Sequence, residues 1–97
     1  MARTAVHWPT DAERKRVDEI IARHHDDRPD GVRHITSTFG EDHAGEPAVF
    51  LEMAVGKEVQ PTKEKIEELN DYIQVIINEI IDSGVDYWPY ARTVTEE

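Results

Sequence analysis

Two histidines and two aspartates stand side by side in the stretch RHHDDRPDG, residues 23–31, the densest group of metal-ligand side chains in the chain. Imidazole and carboxylate groups bind zinc and other divalent ions, so a metal site is one hypothesis. Its predicted ligands are His24, His25, Asp26 and His43. The spacing is poor, because two zinc-binding histidines on a helix usually lie four residues apart. A solvated turn, with a histidine at the end of a helix, is the simpler interpretation and the one we favour.

A second polar cluster lies in the stretch GEDHAGEP, residues 40–47. Its possible ligands for Ca²⁺ or Mg²⁺ are Glu41, Asp42, His43 and Glu46. The stretch lacks the ligand register of an EF-hand. We therefore interpret it as a hairpin turn in which Gly40 and Gly45 take positive φ.

Catalytic chemistry has little support in the sequence. Glu52 is a carboxylate inside an apolar strand, where burial would raise its pKa towards the range of a general acid. Alternating strands usually direct such a residue to solvent. The sequence has no nucleophile elbow, phosphate-binding loop, dinucleotide fingerprint or zinc-protease motif, and a short chain leaves little room for an enclosed pocket. We predict that the protein is not an enzyme.

Aromatic residues near the C-terminus favour a binding function instead. The stretch YWPY, residues 87–90, adds more aromatic surface than a small core needs, and aromatic side chains near an open sheet edge commonly anchor protein partners. The predicted partner-binding residues are Tyr87, Trp88, Tyr90 and Phe50. In a regular strand Trp88 and Tyr90 point to the same face. The alternative to partner binding is that they complete the packing of the first helix.

The elements that position these residues follow the order α-β-β-α-β. A capping box at Thr10 begins a helix that ends near His25. Strands over residues 32–39 and 48–55 precede a helix over residues 63–82, which Gly84 terminates. The last strand, within residues 85–94, contains Pro89 and therefore belongs at a sheet edge or carries a break. The predicted fold is a single α+β domain over residues 1–97, a three-stranded sheet packed by two helices, with an N-terminal arm (1–9) and a frayed tail (95–97).

Periodicity assigns the core-facing sides. Alternate residues of the second strand should face the core: Val49, Leu51, Met53 and Val55. On the second helix, apolar residues cover a stripe of roughly 180°, wider than one sheet face needs. This width indicates a further covering element, and a homodimer that buries the stripe or pairs edge strands is one way to provide it.

Composition limits the partners. Among 97 residues, 21 Asp and Glu against 11 Lys and Arg give a formal net charge of -10, which repels nucleic acid and anionic lipid and favours basic partners. The chain has no cysteine, and it shows neither a signal-peptide pattern nor an apolar run long enough to span a membrane. We predict a soluble, cytoplasmic protein that binds neither nucleic acid nor membranes.

Two resemblances extend this prediction. The stretches GEDHAGEPAVFLEMAV and WPYAR resemble segments of small uncharacterised bacterial proteins with a G-E-D-x-x-G-x-P-A-V hairpin and a late P-Y-x-R strand, some of which are encoded beside toxin-like or nucleotidyltransferase-like proteins. The element order also resembles the cytoplasmic metallochaperone-like domain of cation diffusion facilitators. The first resemblance implies no activity of its own, but it suggests a toxin-like or nucleotidyltransferase-like partner for the small acidic, protein-binding protein that composition and the aromatic residues predict. The second implies the alternative, a regulatory or chaperone module that dimerises and binds a divalent metal such as zinc.

Overall fold

Two helices cover one face of a three-stranded sheet in the computed structural model, which describes residues 9–96. The elements are α1 (Asp11–Arg23), β1 (Val32–Glu41), β2 (Pro47–Gly56), α2 (Lys63–Asp82) and β3 (Trp88–Glu96). A short 3₁₀ turn, His25–Asp27, follows α1. The predicted α+β class and element order are confirmed. Apart from Pro9, the predicted N-terminal arm lies outside the described residues.

Both helices begin at a threonine whose side chain satisfies a free backbone amide. The Thr10 hydroxyl accepts a hydrogen bond of 3.1 Å from the Glu13 amide, and the Glu13 carboxylate accepts one of 2.9 Å from the Thr10 amide, which is the predicted capping box. At the start of α2, the Thr62 hydroxyl accepts a hydrogen bond of 3.1 Å from the Lys65 amide. These caps place the first helical residues where the sequence predicted them.

Strand β2 occupies the centre of the sheet. It pairs antiparallel with β1 through a tight hairpin and parallel with β3, which the chain reaches after crossing back along α2. Strand β3 is therefore an edge strand, as Pro89 predicted, and Pro89 lies opposite Val49 in the register. Pairing extends to Glu96, so residues 95 and 96 belong to β3 and the tail predicted over 95–97 is corrected.

The core lies between the helices and one face of the sheet. The four alternate residues predicted to face the core from β2 are all buried, and they pack with Val17 and Ile20 of α1 and with the apolar residues of α2. Helix α1 thus covers part of the wide stripe on α2. Ile66 and Ile81, near the two ends of that stripe, stay exposed.

Candidate binding surface on the open sheet face

The sheet face opposite the helices is open within the described residues 9–96. Strand alternation directs the even-numbered side chains of β2 and β3 to this face, away from the buried odd-numbered residues of β2. Parallel pairing places Phe50 opposite Tyr90, and Glu52 opposite Arg92. The open face therefore has an aromatic pair beside a charged pair.

Three aromatic side chains, Phe50, Trp88 and Tyr90, form what we call the aromatic surface. The Phe50 and Tyr90 rings stack with centroids 5.8 Å apart and planes 19° apart. Trp88 is two residues from Tyr90 on the same face and is 56% exposed, and Tyr90 is 38% exposed. The structure thus confirms that Trp88 and Tyr90 share a face, and it places both outside the α1 packing.

The hairpin turn between β1 and β2 is tied to the aromatic surface through Asp42. One carboxylate oxygen, Oδ1, accepts hydrogen bonds from the amides of Ala44 (2.9 Å) and Glu46 (3.0 Å). The other, Oδ2, accepts one of 2.9 Å from the Tyr90 hydroxyl. The amide of Glu46 and then the Tyr90 hydroxyl hold the pKa of Asp42 below its usual value, and the same bond to Asp42 raises the pKa of Tyr90.

These contacts give the polar loop a structural role. Gly45 has φ of 80°, as predicted for the turn, whereas Gly40 lies within β1, so the prediction of positive φ for it was wrong. Both carboxylate oxygens of Asp42 are engaged by protein donors. The turn places the Asp42 carboxylate beside the aromatic surface, and Glu46 is exposed in the same turn; we call these two carboxylates the acidic rim.

The charged pair, Glu52 and Arg92, borders the aromatic surface on the side away from the hairpin turn. The Arg92 guanidinium donates two hydrogen bonds to Glu52 Oε2, of which the one from Nε is 3.0 Å long. A depression of about 390 Å³ lies between Thr38, Tyr90 and this pair. Glu52 lies on the open face, which agrees with the outward orientation that strand alternation favours.

Tyr87 requires a correction. We predicted it as a partner-binding residue with Trp88, but it is 2% exposed and belongs to the core. The Tyr87 and Phe39 rings make a T-shaped contact, with centroids 5.0 Å apart and planes at 89°, and burial raises the pKa of the Tyr87 hydroxyl. Tyr87 precedes the first residue of β3 and points to the core, whereas Trp88 and Tyr90, within the strand, point to the open face.

The four predicted metal ligands are not gathered into one site. His43 lies in the hairpin turn, separated from the end of α1 by a strand of ten residues, which spans roughly 33 Å. His24 instead contacts the Glu79 carboxylate of α2 through Nε2, and its Nδ1 is 3.6 Å from Asp27 Oδ2. Across residues 9–96, no three His, Cys, Asp or Glu side chains form a group that could hold a metal ion.

Two pairs of interacting residues were missed by the sequence reasoning. His24 and Glu79 lie on different helices, and local periodicity carries no signal for such a contact. Glu52 and Arg92 lie on different strands, and only knowledge that β2 and β3 pair in parallel would have brought them together. Strand alternation alone does predict that Glu52 and Arg92 point to the same side of the sheet.

Comparisons with known proteins do not identify a relative. No protein-family model, curated protein or solved structure matches the chain significantly. The two resemblances stay predictions. In the described part of the chain, neither helix has the length and apolar content that crossing a membrane requires.

Proposed function

We propose that this protein acts without catalysis, by binding a basic segment of another protein on its aromatic surface. The observation that carries the proposal is the exposure of Trp88, at 56%, beside the stacked rings of Phe50 and Tyr90 on a face that neither described helix covers. Exposed tryptophan and tyrosine side chains are the residues that most often supply the binding energy of protein interfaces.

The rigidity of the surface supports the same function. Tyr90 is restrained by its stack on Phe50 and by its hydrogen bond to Asp42. A side chain that is already ordered loses little conformational entropy when a partner covers it. The aromatic surface therefore has two pre-organised rings and one exposed ring that contacts a partner directly.

Charge indicates the chemistry of the partner. The acidic rim begins at Asp42, which contacts the Tyr90 hydroxyl, and continues to the exposed Glu46, and the chain has a formal net charge of -10. The faces of aromatic rings attract cations, and carboxylates pair with lysine and arginine. A partner segment with Lys or Arg next to an apolar residue would satisfy both. The toxin-like or nucleotidyltransferase-like proteins implied by the sequence resemblance are the first partners to test.

The test compares single substitutions of two exposed residues, Trp88 at 56% and Val75 at 47%. Trp88→Ala removes the centre of the aromatic surface, and Val75→Ala, at a residue 47% exposed on α2, is the control. We expect wild type and Val75→Ala to capture the same identified partner from the source cell, and Trp88→Ala to bind it about 30-fold more weakly, which corresponds to roughly 2 kcal/mol. Added salt should weaken the wild-type complex.

Folding must be measured on the same variants. Trp88→Ala should keep the unfolding midpoint close to that of the wild type, because the ring is mostly exposed. A Trp88→Ala variant that binds as tightly as the wild type, or one that cannot fold, would contradict the proposal.

A further inference from the structure

Within residues 9–96, the second half of β3 is a strand edge that has neither a proline nor a bulge. Among the described residues β3 pairs only with β2, and its register with β2 has no shift. Proteins blunt exposed edges with prolines, bulges or charges. The other edge strand, β1, has a register irregularity between Val32 and His34. In β3 Pro89 blunts only the beginning, and the following stretch RTVT, residues 92–95, is regular and rich in β-branched residues.

A groove runs beside this edge on the helix side of the sheet. Thr93 and Thr95 point to the same side of the sheet as the buried residues of β2, yet both are exposed. With Ile66 and Leu69 of α2 they line a space of about 400 Å³. Ile66 is 46% exposed there. Within residues 9–96, α2 therefore leaves Thr93 and Thr95 uncovered, and this part of the edge is open in the plane of the sheet and on its helix side.

We propose that a second copy of β3 pairs antiparallel with this edge, so that two chains form one continuous six-stranded sheet. A two-fold axis perpendicular to the sheet passes midway between Val94 and Val94 of the second copy, so the two residues lie opposite each other. Both helix layers then lie on the same face. This inference concerns a surface distinct from the aromatic surface and does not depend on the proposed function.

Charge complementarity selects that register. With Val94 opposite its own copy, Arg92 lies opposite Glu96 of the second copy on the open face, and the symmetry repeats this pair. Within one chain Arg92 contacts Glu52, and Glu96 lies 3.5 Å from His34 and 3.8 Å from Arg33, so the new pair extends an existing charge network. Cross-strand pairs of opposite charge stabilise a sheet, whereas like charges directly opposite destabilise it. Moving the axis to Arg92 would place two arginines opposite each other. Moving it to Thr93 would leave Arg92 opposite valine and Glu96 opposite Tyr90.

On the helix side of the sheet, the side chains of the two copies also match in this register. Thr93 lies opposite Thr95 of the second copy, and such threonine pairs are favourable across strands. Ile66 from each copy flanks these threonines, so the two grooves join. The apolar side chains that line them then become less exposed to solvent. Trp88 and Tyr90 lie beyond the paired segment, and the two aromatic surfaces remain accessible at opposite ends of the sheet.

A cysteine cross-link tests the register directly, because the chain has no cysteine of its own. Val94→Cys would bring two thiols onto facing positions with Cα atoms about 4.5–5.5 Å apart, within the range of a disulfide. Thr93→Cys is the control, since Thr93 faces Thr95 and not itself. Under mild oxidation we expect Val94→Cys to become a covalent dimer at least tenfold faster than Thr93→Cys. Equal rates would overturn the register.

Sedimentation at about 0.15 M salt, where the repulsion between two acidic chains is screened, tests the association itself. At about 100 µM we expect the wild type and the control Val75→Lys to sediment at twice 11.2 kDa. Val94→Lys, which sets two ammonium groups opposite each other, should sediment as a monomer with an unchanged circular dichroism spectrum. A wild type that stays monomeric would overturn the proposal. The β3 edge would then be a site for a strand of a different protein. A dimer that persists in Val94→Lys would also overturn it.

Discussion

The Tyr90 hydroxyl donates a hydrogen bond of 2.9 Å to Asp42 Oδ2, and this bond joins β3 to the hairpin turn between β1 and β2. Asp42 holds the turn together through its other carboxylate oxygen, and Tyr90 belongs to the aromatic surface. The conformation of the turn and the position of a ring that we propose to contact a partner are therefore coupled.

Removing the Tyr90 hydroxyl should loosen the turn without unfolding the sheet. In Tyr90→Phe the Asp42 carboxylate loses a donor, so its pKa should rise towards the usual value of 3.8. A lowered carboxyl pKa contributes stability that is present above the unfolded-state pKa and is lost as the pH falls through the folded-state value. An NMR titration of the Asp42 carboxyl in both proteins measures the change. An identical Asp42 titration in the variant would show that the hydroxyl does not stabilise the carboxylate.

The contact between His24 and Glu79 should make the packing of α1 on α2 depend on pH. A hydrogen bond from His24 is the main cause that holds the pKa of Glu79 below its usual 4.5, and Arg23 adds to the effect. Protonation of Glu79 weakens the contact, so stability should fall as the pH drops through that lowered pKa. His24→Ala should lower stability at pH 6 and much less at pH 3. Chemical denaturation at the two pH values tests this, with Arg28→Ala, outside the pair, as the control. Equal losses at both pH values would contradict it.

Truncating a core side chain of the central strand should lower the stability of the protein strongly. Leu51 is 1% exposed in the middle of β2, so Leu51→Ala leaves a cavity and should cost about 2–5 kcal/mol of unfolding free energy. Small domains have about 5–15 kcal/mol in total. Thr38→Ala, on the open face of β1, should cost less than about 1 kcal/mol. Urea denaturation of both variants measures the difference, and a loss of less than about 1 kcal/mol in Leu51→Ala would argue against this core.

Two glycines should respond in opposite ways to alanine. Gly84 has φ of 83° after α2, and a Cβ there would meet nothing within 4 Å, so Gly84→Ala should lose about 1 kcal/mol through backbone strain alone. Gly40 lies in β1, and a Cβ there would approach Phe50 at an ordinary 3.8 Å. Gly40→Ala should therefore be neutral or stabilising. Thermal unfolding of the two variants ranks them, and the reverse order would contradict the assigned conformations.

Local signals predicted most of the fold. The bounds of α2 agree with the prediction because a threonine cap and a left-handed glycine mark its two ends, and the core side of β2 agrees because alternation is a property of the strand alone. The parallel pairing of β2 with β3 was not predicted, since it depends on how α2 returns the chain to the sheet.

The site was predicted less completely. Trp88 and Tyr90 were assigned to one face by alternation, but Tyr87 was misplaced because aromatic composition does not indicate where a strand begins. His24 was considered as a metal ligand because its neighbours in sequence are acidic. Its strongest contact, Glu79, lies 55 residues away, beyond the reach of any local pattern.

The parallel pairing of β2 with β3 across α2 also has a consequence for the order of folding. The hairpin of β1 and β2 closes a short loop, whereas β3 can dock only after the chain has traversed the whole of α2, at a larger entropic cost. We expect β3 to join the sheet late and to detach first in partial unfolding. Its amide protons would then exchange fastest in the sheet, and a ligand that contacts Trp88 or the Val94 edge would slow that exchange by holding the last strand in place.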